Sequence, residues 1–195
     1  MGRTKHNDRS RRTMARDLEL LDPAFREKVG SLLAECERQG YPMNPFYTLR
    51  SVYDQAKLYR QSRTFAEIDA AHDHLLNNGA PFLADVLKSV GPCNGSWATD
   101  SLPGFSWHQH GEAVDCYWVI DGAAEWSITR QVAEHNGYDV YARSALALGL
   151  EPGHLWKHKD SVHVQKSKRS VNDLIQSGKL SFPELDAKMK KLFDV

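Results

Sequence analysis

Ser106-Trp107-His108-Gln109-His110-Gly111-Glu112-Ala113-Val114-Asp115-Cys116-Tyr117-Trp118-Val119-Ile120-Asp121-Gly122 is the stretch on which the fold turns. Glu112 to Ile120 alternates well enough for a strand, and Asp121-Gly122 is a strong tight-turn signal at its end. Gly111 permits a sharp entry from the preceding loop. Ala113 and Asp115, two residues apart, share one face of that strand. Nine histidines are many for a neutral surface. They cluster here and again in His154 to His163, which invites a metal reading.

Upstream, Asp22-Pro23 reads as a cap and first helical position, and Phe25, Val29, Leu32, Leu33 and Cys36 recur at helix spacing until Gly40. Pro45 to Arg50 reads as a short extended stretch. Ser51 with Asp54 and Thr64 with Glu67 have capping-box spacing, so two short helices are predicted up to Asn77-Asn78-Gly79. Pro81 to Val90 reads as a further helix. Gly91 to Gly104, with Pro, Asn, Gly and Ser throughout, reads as a long loop, and long loops in compact domains usually carry function.

Downstream, Tyr138 to Leu148 looks helical and closes at Gly149. Ser161 to Gln165 is predicted as a second short strand, with Val162 and Val164 on one face and Ser161, His163 and Gln165 on the other. Val171 to Gln176 and Phe182 to Phe193 complete the pattern as helices. Helices, strand, helix, strand, helices is an α+β order. The expected architecture is a small, mostly antiparallel sheet flanked by several helices. Residues 1–17 are expected to form a basic flexible arm, 18–168 the main domain, and 169–195 a helical extension packed on it.

Composition excludes several classes. Twenty-five basic residues balance 25 acidic ones, so no global field points to nucleic acid. The arm departs from this balance, with Arg3, Lys5, Arg9, Arg11, Arg12 and Arg16 against Asp8 alone. Apolar runs such as Ala145 to Leu150 fall far short of the roughly 18 residues of a membrane span. No apolar stretch follows the basic residues as in a secretory signal, so synthesis in a cytoplasm is expected. Cys36, Cys93 and Cys116 lack metal-ligand spacing, and Cys36 and Cys116 are predicted as core thiols.

The pattern Ser106-x-His108-x-x-Gly111-x-Ala113-x-Asp115, followed by Asp160-Ser161-Val162-His163, resembles the zinc peptidases of bacterial cell-wall peptides. That family comprises D-Ala-D-Ala carboxypeptidases, D-Ala-D-Ala dipeptidases and L-alanyl-D-glutamate endopeptidases. Arg50-Ser51, Gln55 and Leu58-Tyr59, with Gln61-Ser62-Arg63-Thr64, resemble a second family stretch. The resemblance spans about residues 18 to 167. It implies one zinc ion per chain, held by His108, Asp115 and His163, with Asp160 as general base and Arg50 facing the active site. It also implies substrate contacts from Ser106, Gln55 and Trp156.

Two imidazoles and a carboxylate suit that role, since catalytic zinc takes three protein ligands and leaves a position open. His110 shares alternation with His108 and is the rival ligand; spacing to Gly111 and Asp115 favours His108. His154 and His158 are weaker rivals, either of which would line the cleft. An acid three residues before His163, at the start of the same strand, would lie beside the metal and serve as base. The Arg50 guanidinium suits a carbonyl oxygen on which charge develops.

Asp160 in place of Glu, Trp156 upstream and Gln165 downstream resemble the L-alanyl-D-glutamate branch, whereas Val162-His163-Val164 departs from its usual Pro-His-Phe. The expected activity is therefore zinc-dependent cleavage of the peptidoglycan stem peptide at the L-Ala to D-Glu bond. A D,D-carboxypeptidase or dipeptidase on the same scaffold is the alternative. The Hedgehog signalling domain shares the scaffold, so a zinc-bearing binding domain without catalysis is the alternative of another class. The protein is expected to act as a monomer on the cell wall or periplasm after release or delivery, with a secretion or lysis partner. Neither nucleic-acid binding nor membrane insertion is expected.

Overall fold

The computed structural model describes residues 16–92 and 95–194. The basic arm, apart from its last two residues, and Cys93 lie outside the described residues. Among those described, seven α-helices and a five-stranded antiparallel sheet give an α+β fold. No helix among them is long and apolar enough to cross a membrane. The contacts divide the chain into two units, one of residues up to 49 with 110–168, the other of 50–109 with 169–195.

In the first unit, α1 (Pro23–Arg38) starts where the sequence places it: Pro23 opens the helix and the Asp22 carboxylate accepts from the Phe25 N–H. The sheet follows as β1 (Met43–Tyr47), β2 (Ala113–Ile120), β3 (Ala123–Glu125), β4 (Glu151–Pro152) and β5 (His163–Gln165). Its order is β1-β2-β5-β4, with β3 also paired to β2. Asp121 and Gly122 both take positive φ, as a two-residue hairpin turn requires, and β2 returns through them into β3. Gly111, also at positive φ, carries the chain into β2, and its carbonyl accepts from the Asp22 N–H at 2.9 Å. A Cβ there would come within 3.0 Å of the Asp22 nitrogen.

Val114, Cys116 and Trp118 of β2 and Val164 of β5 face a core built with Phe25, Val29, Leu32 and Cys36 of α1. Tyr138, Tyr141 and Ala145 of α5 (Gly137–Ala147) complete it. Cys36 and Cys116 are free, buried thiols, and burial pushes the Cys36 thiol up to about 11. Because successive strand residues alternate, burying Val114, Cys116 and Trp118 sends Ala113, Asp115 and Tyr117 to the opposite face.

The extended stretch expected over Pro45 to Arg50 is a strand over Met43–Tyr47. Met43 pairs with Trp118 and Tyr47 with Asp115, and the register shifts between Pro45 and Tyr47. Phe46 is the extra residue of that bulge.

The second unit is helical: α2 (Val52–Arg60), α3 (Phe65–Asn77), α4 (Pro81–Ser89), α6 (Val171–Gln176) and α7 (Phe182–Phe193). Ser51 caps α2, and Thr64 with Glu67 closes a full capping box on α3. α4 packs against α2, α3 and α7 and buries Leu83, Ala84, Val86 and Leu87. Its own Ala80 provides no side-chain cap. The buried Asp186 carboxylate of α7 accepts instead from the Phe82 and Leu83 N–H groups, at 3.3 and 2.8 Å.

Candidate metal centre and active site

β2 and β5 run antiparallel with Asp115 opposite His163 and Ala113 opposite Gln165. All four side chains therefore share the sheet face turned away from the core. His163 Nδ1 lies 3.0 Å from Asp115 Oδ1, and His163 Nε2 lies 3.0 Å from Gln165 Oε1. The Gln165 amide is oriented by its own NH2, which donates to the Ser167 carbonyl. Its oxygen must then accept, so His163 Nε2 carries a proton; Nδ1 donates to the Asp115 carboxylate when the ring is protonated and is the nitrogen left with a lone pair for a metal when it is neutral. Ala113 leaves room across the strands for the Gln165 side chain.

His108 lies on the 3-10 turn Trp107–His110 that leads into β2. The Ser106 hydroxyl caps this turn, 3.4 Å from the His108 N–H, and the Ser106 N–H donates to Gln109 Oε1 at 3.0 Å. One ligand atom each from His108, Asp115 and His163 falls within 4.8 Å of the others, and all three residues are buried. His110 is outside this cluster. Two imidazole nitrogens and one carboxylate oxygen, converging with no bulky residue between Asp115 and His163, suit a zinc ion with an open position.

Burial opposes charge on His163, but the Asp115 hydrogen bond and charge outweigh it. Aided by the Asp160 charge and Gln165, they raise the imidazole pKa above its ordinary value.

Asp160 is exposed and sits at a tight turn, its N–H donating to the Gly153 carbonyl at 3.0 Å and its carbonyl accepting from the His163 N–H at 3.2 Å. Its carboxylate is not one of the three clustered ligand groups. A Cβ on Gly153 would come within 2.6 Å of the Asp160 carbonyl oxygen and 3.2 Å of the Asp160 and His163 Cβ atoms. Gly153 is thus required by close approach, and the sequence alone gives no hint of it. We expect Gly153→Ala to push Asp160 and His163 out of place, lowering peptide cleavage by about a hundredfold. Unchanged turnover in the folded variant would refute this.

His154, read from the sequence as a weaker rival ligand that would line the cleft, is buried and clamps the same turn. It bonds the Asp139 carboxylate through Nε2 at 2.9 Å and the Ser161 hydroxyl through Nδ1 at 2.8 Å. Trp156, expected at the substrate, packs its indole on the His163 ring, centroids 5.2 Å apart, and donates to Glu151 Oε1 at 2.9 Å.

Gln55 has no exposed surface to offer a substrate. Its oxygen accepts from Arg50 Nη1 at 3.1 Å and from Gln109 Nε2 at 3.2 Å, while its NH2 donates to the Ser101 carbonyl at 2.8 Å. The Arg50 N–H in turn donates to the His108 carbonyl at 3.2 Å. Gln55 and Gln109 therefore join Arg50, the His108 turn and the long loop into one network. Arg63 ties the same loop through the Thr99 carbonyl and lies over the Tyr59 ring.

A family model described as VanY, D-alanyl-D-alanine carboxypeptidase, matches residues 18–166. Solved structures are similar too, among them the following two. The Serratia marcescens L-Ala D-Glu endopeptidase ChiX is 19% identical, with a TM-score of 0.42, covering 77% of this chain and 83% of that one. The LdcB LD-carboxypeptidase is 16% identical, with a TM-score of 0.43, covering 86% of this chain and 69% of that one. No curated protein matches significantly.

Proposed function

The chain belongs to the VanY D-alanyl-D-alanine carboxypeptidase family, and from that premise we propose that it is a zinc peptidase cutting the peptidoglycan stem peptide between L-Ala and D-Glu. The buried His108, Asp115 and His163 cluster, with Asp160 outside it on the same turn as His163, is the observation that carries this reading. Held by His108, Asp115 and His163, zinc would supply Lewis acidity toward the scissile carbonyl and an attacking water. The Asp160 carboxylate is the group that takes up a proton and passes it to the leaving amine. Arg50, its guanidinium steadied by Gln55, holds the carbonyl oxygen as charge develops on it. Ser106, Gln109 and Gln55 position the His108 turn and Arg50, while Trp156 and Gln165 orient the His163 ring.

Asp160, Trp156 and Gln165 favour the L-Ala to D-Glu bond. The family model's own description favours the second reading, a D,D-carboxypeptidase. Digestion of purified wall material with mass spectrometry of the products decides between them. New D-glutamate amino termini are expected, and loss of terminal D-alanine alone would sink the first reading. Action at the wall after release or delivery from the cytoplasm belongs to the same proposal.

Gln165 offers a separate check on the ligand set. Gln165→Leu removes the acceptor that fixes the His163 ring, so zinc affinity is expected to fall by roughly 10- to 100-fold. Competition against a chromophoric chelator measures it, and an unchanged affinity would exclude Gln165 from this role.

A further inference from the structure

Two residues beyond Asp115 on β2, on the same sheet face, Tyr117 begins a group of three aromatic rings. Its ring centroid lies 6.1 Å from that of Phe46, the bulge residue of β1, and 5.5 Å from that of Trp126, while Phe46 and Trp126 meet edge to face at 5.3 Å. Trp126 is 55% exposed. The exposed Asn44 amide donates to the Tyr117 hydroxyl at 2.7 Å, so the platform has a polar edge.

The segment after β3 that presents Trp126 is held firmly. The Glu125 carboxylate accepts from the Ser127 N–H at 2.8 Å and from Arg130 at 2.6 Å, and the Glu125 carbonyl accepts from the Tyr138 hydroxyl at 2.7 Å. An exposed indole backed by two half-buried rings, firmly held and with a polar margin, is a binding surface in waiting, since it sacrifices little conformational freedom when it binds.

We propose that this platform binds the muramic acid sugar to which the stem peptide is attached, the apolar face of the pyranose stacking on Trp126 and Tyr117. The inference rests on the peptidase reading above, and continuity with that site along one strand face selects the occupant. At about 3.3 Å per strand residue, Tyr117 lies roughly 7 Å along β2 from Asp115. In the substrate, one L-Ala and the lactyl ether separate the L-Ala to D-Glu bond from the sugar, about two residue lengths or roughly 7 Å. A D-Ala-D-Ala bond lies three residues further out, at roughly 17 Å or more from the sugar. The platform therefore fits a sugar when the inner bond is cut and falls short of it when the outer bond is cut. Tyr117 and Asn44 supply the hydroxyl and amide that a hydroxylated, N-acetylated ring can bond, which a purely apolar partner would leave unused.

The test separates sugar binding from the choice of bond. Binding of the disaccharide N-acetylglucosaminyl-N-acetylmuramoyl-L-alanine to the zinc-loaded full chain is followed by NMR of the Trp126 indole and by calorimetry. Cleavage of stem peptide with and without the disaccharide is followed in parallel.

The expected result is a Trp126-centred shift, together with a wild-type preference for the disaccharide-bearing peptide. In Trp126→Ala, kcat/KM on that peptide should drop about five- to tenfold, while kcat/KM on the sugar-free peptide is unchanged. Trp126 is solvent-exposed, so this variant should keep the wild-type circular dichroism spectrum, and Tyr117→Leu provides an independent second probe.

Sugar binding lost in Trp126→Ala supports the platform as a sugar site even if mass spectrometry places the cut at D-alanine; the choice of bond and the spacing argument drawn from it would then fail. No sugar binding, binding that survives both substitutions, or a homodimer abolished by Trp126→Ala would overturn it, with the peptidase reading left standing.

Discussion

Asp160→Asn is expected to keep close to one zinc per chain, to melt near wild type, and to cleave wall peptides about a hundredfold to ten-thousandfold more slowly. That range corresponds to roughly 2.7 to 5.5 kcal/mol of transition-state stabilisation. The structural basis is the separation of duties around His163. Asp160 holds the turn through its backbone, by the Gly153 carbonyl and the His163 N–H, and neither bond involves the carboxylate. Asparagine preserves size and backbone and removes only the group that can take a proton. The three clustered ligand groups are untouched. Full cleavage by the zinc-loaded variant would refute the assigned role, and loss of zinc would move Asp160 among the ligands. The same assay addresses the binding-domain alternative: a wild-type chain that holds zinc but never cleaves wall peptide would leave Asp160 without a reaction to serve.

What the sequence made legible is what depends on neighbours along the chain. Asp22-Pro23 announces α1 and Asp121-Gly122 announces the hairpin because caps and tight turns are local devices. β3 and β4 escaped notice: Ala123–Glu125 carries no alternation, and Glu151–Pro152 is two residues long and contains a proline. Both exist because β2 and β5 offer them partners.

The site divides the same way. His108, Asp115 and His163 could be picked out by spacing within a family pattern. The packing of Gly153 on Asp160, the clamp of His154 on Ser161 and the burial of Gln55 depend on contacts through space, which one-dimensional spacing does not record. Trp156 and Gln165 were visible as residues of interest, but their contact with the His163 ring emerges only once β5 is folded.

Removing the metal, by chelation or by His163→Ala, is expected to cost stability as well as activity. The proposed ligands come from segments far apart in sequence, so the unfolded chain presents no ready-made site and zinc is expected to bind the native state alone. With free zinc at a thousandfold over its dissociation constant, the native state gains about 4 kcal/mol. For a chain of this size that is about 8 to 16 °C in melting temperature.

The gap should also depend on pH in a definite direction. In the metal-free protein the raised pKa of His163 means that its stabilising pairing with Asp115 is fully present below the unfolded imidazole value, near 6.5, and fades as pH rises through the raised folded value. Zinc requires the unprotonated nitrogen, so its affinity strengthens over the same interval. The difference in melting temperature between the zinc-loaded and chelated protein should therefore widen from pH 6 toward pH 8. His163→Ala should melt at or below the chelated protein, since it also loses the pairing with Asp115, hold no stoichiometric zinc and be inactive, because two remaining ligands seldom retain a catalytic ion. Melting curves that coincide with and without verified zinc, or a gap that narrows as pH rises, would remove His108, Asp115 and His163 as the metal site.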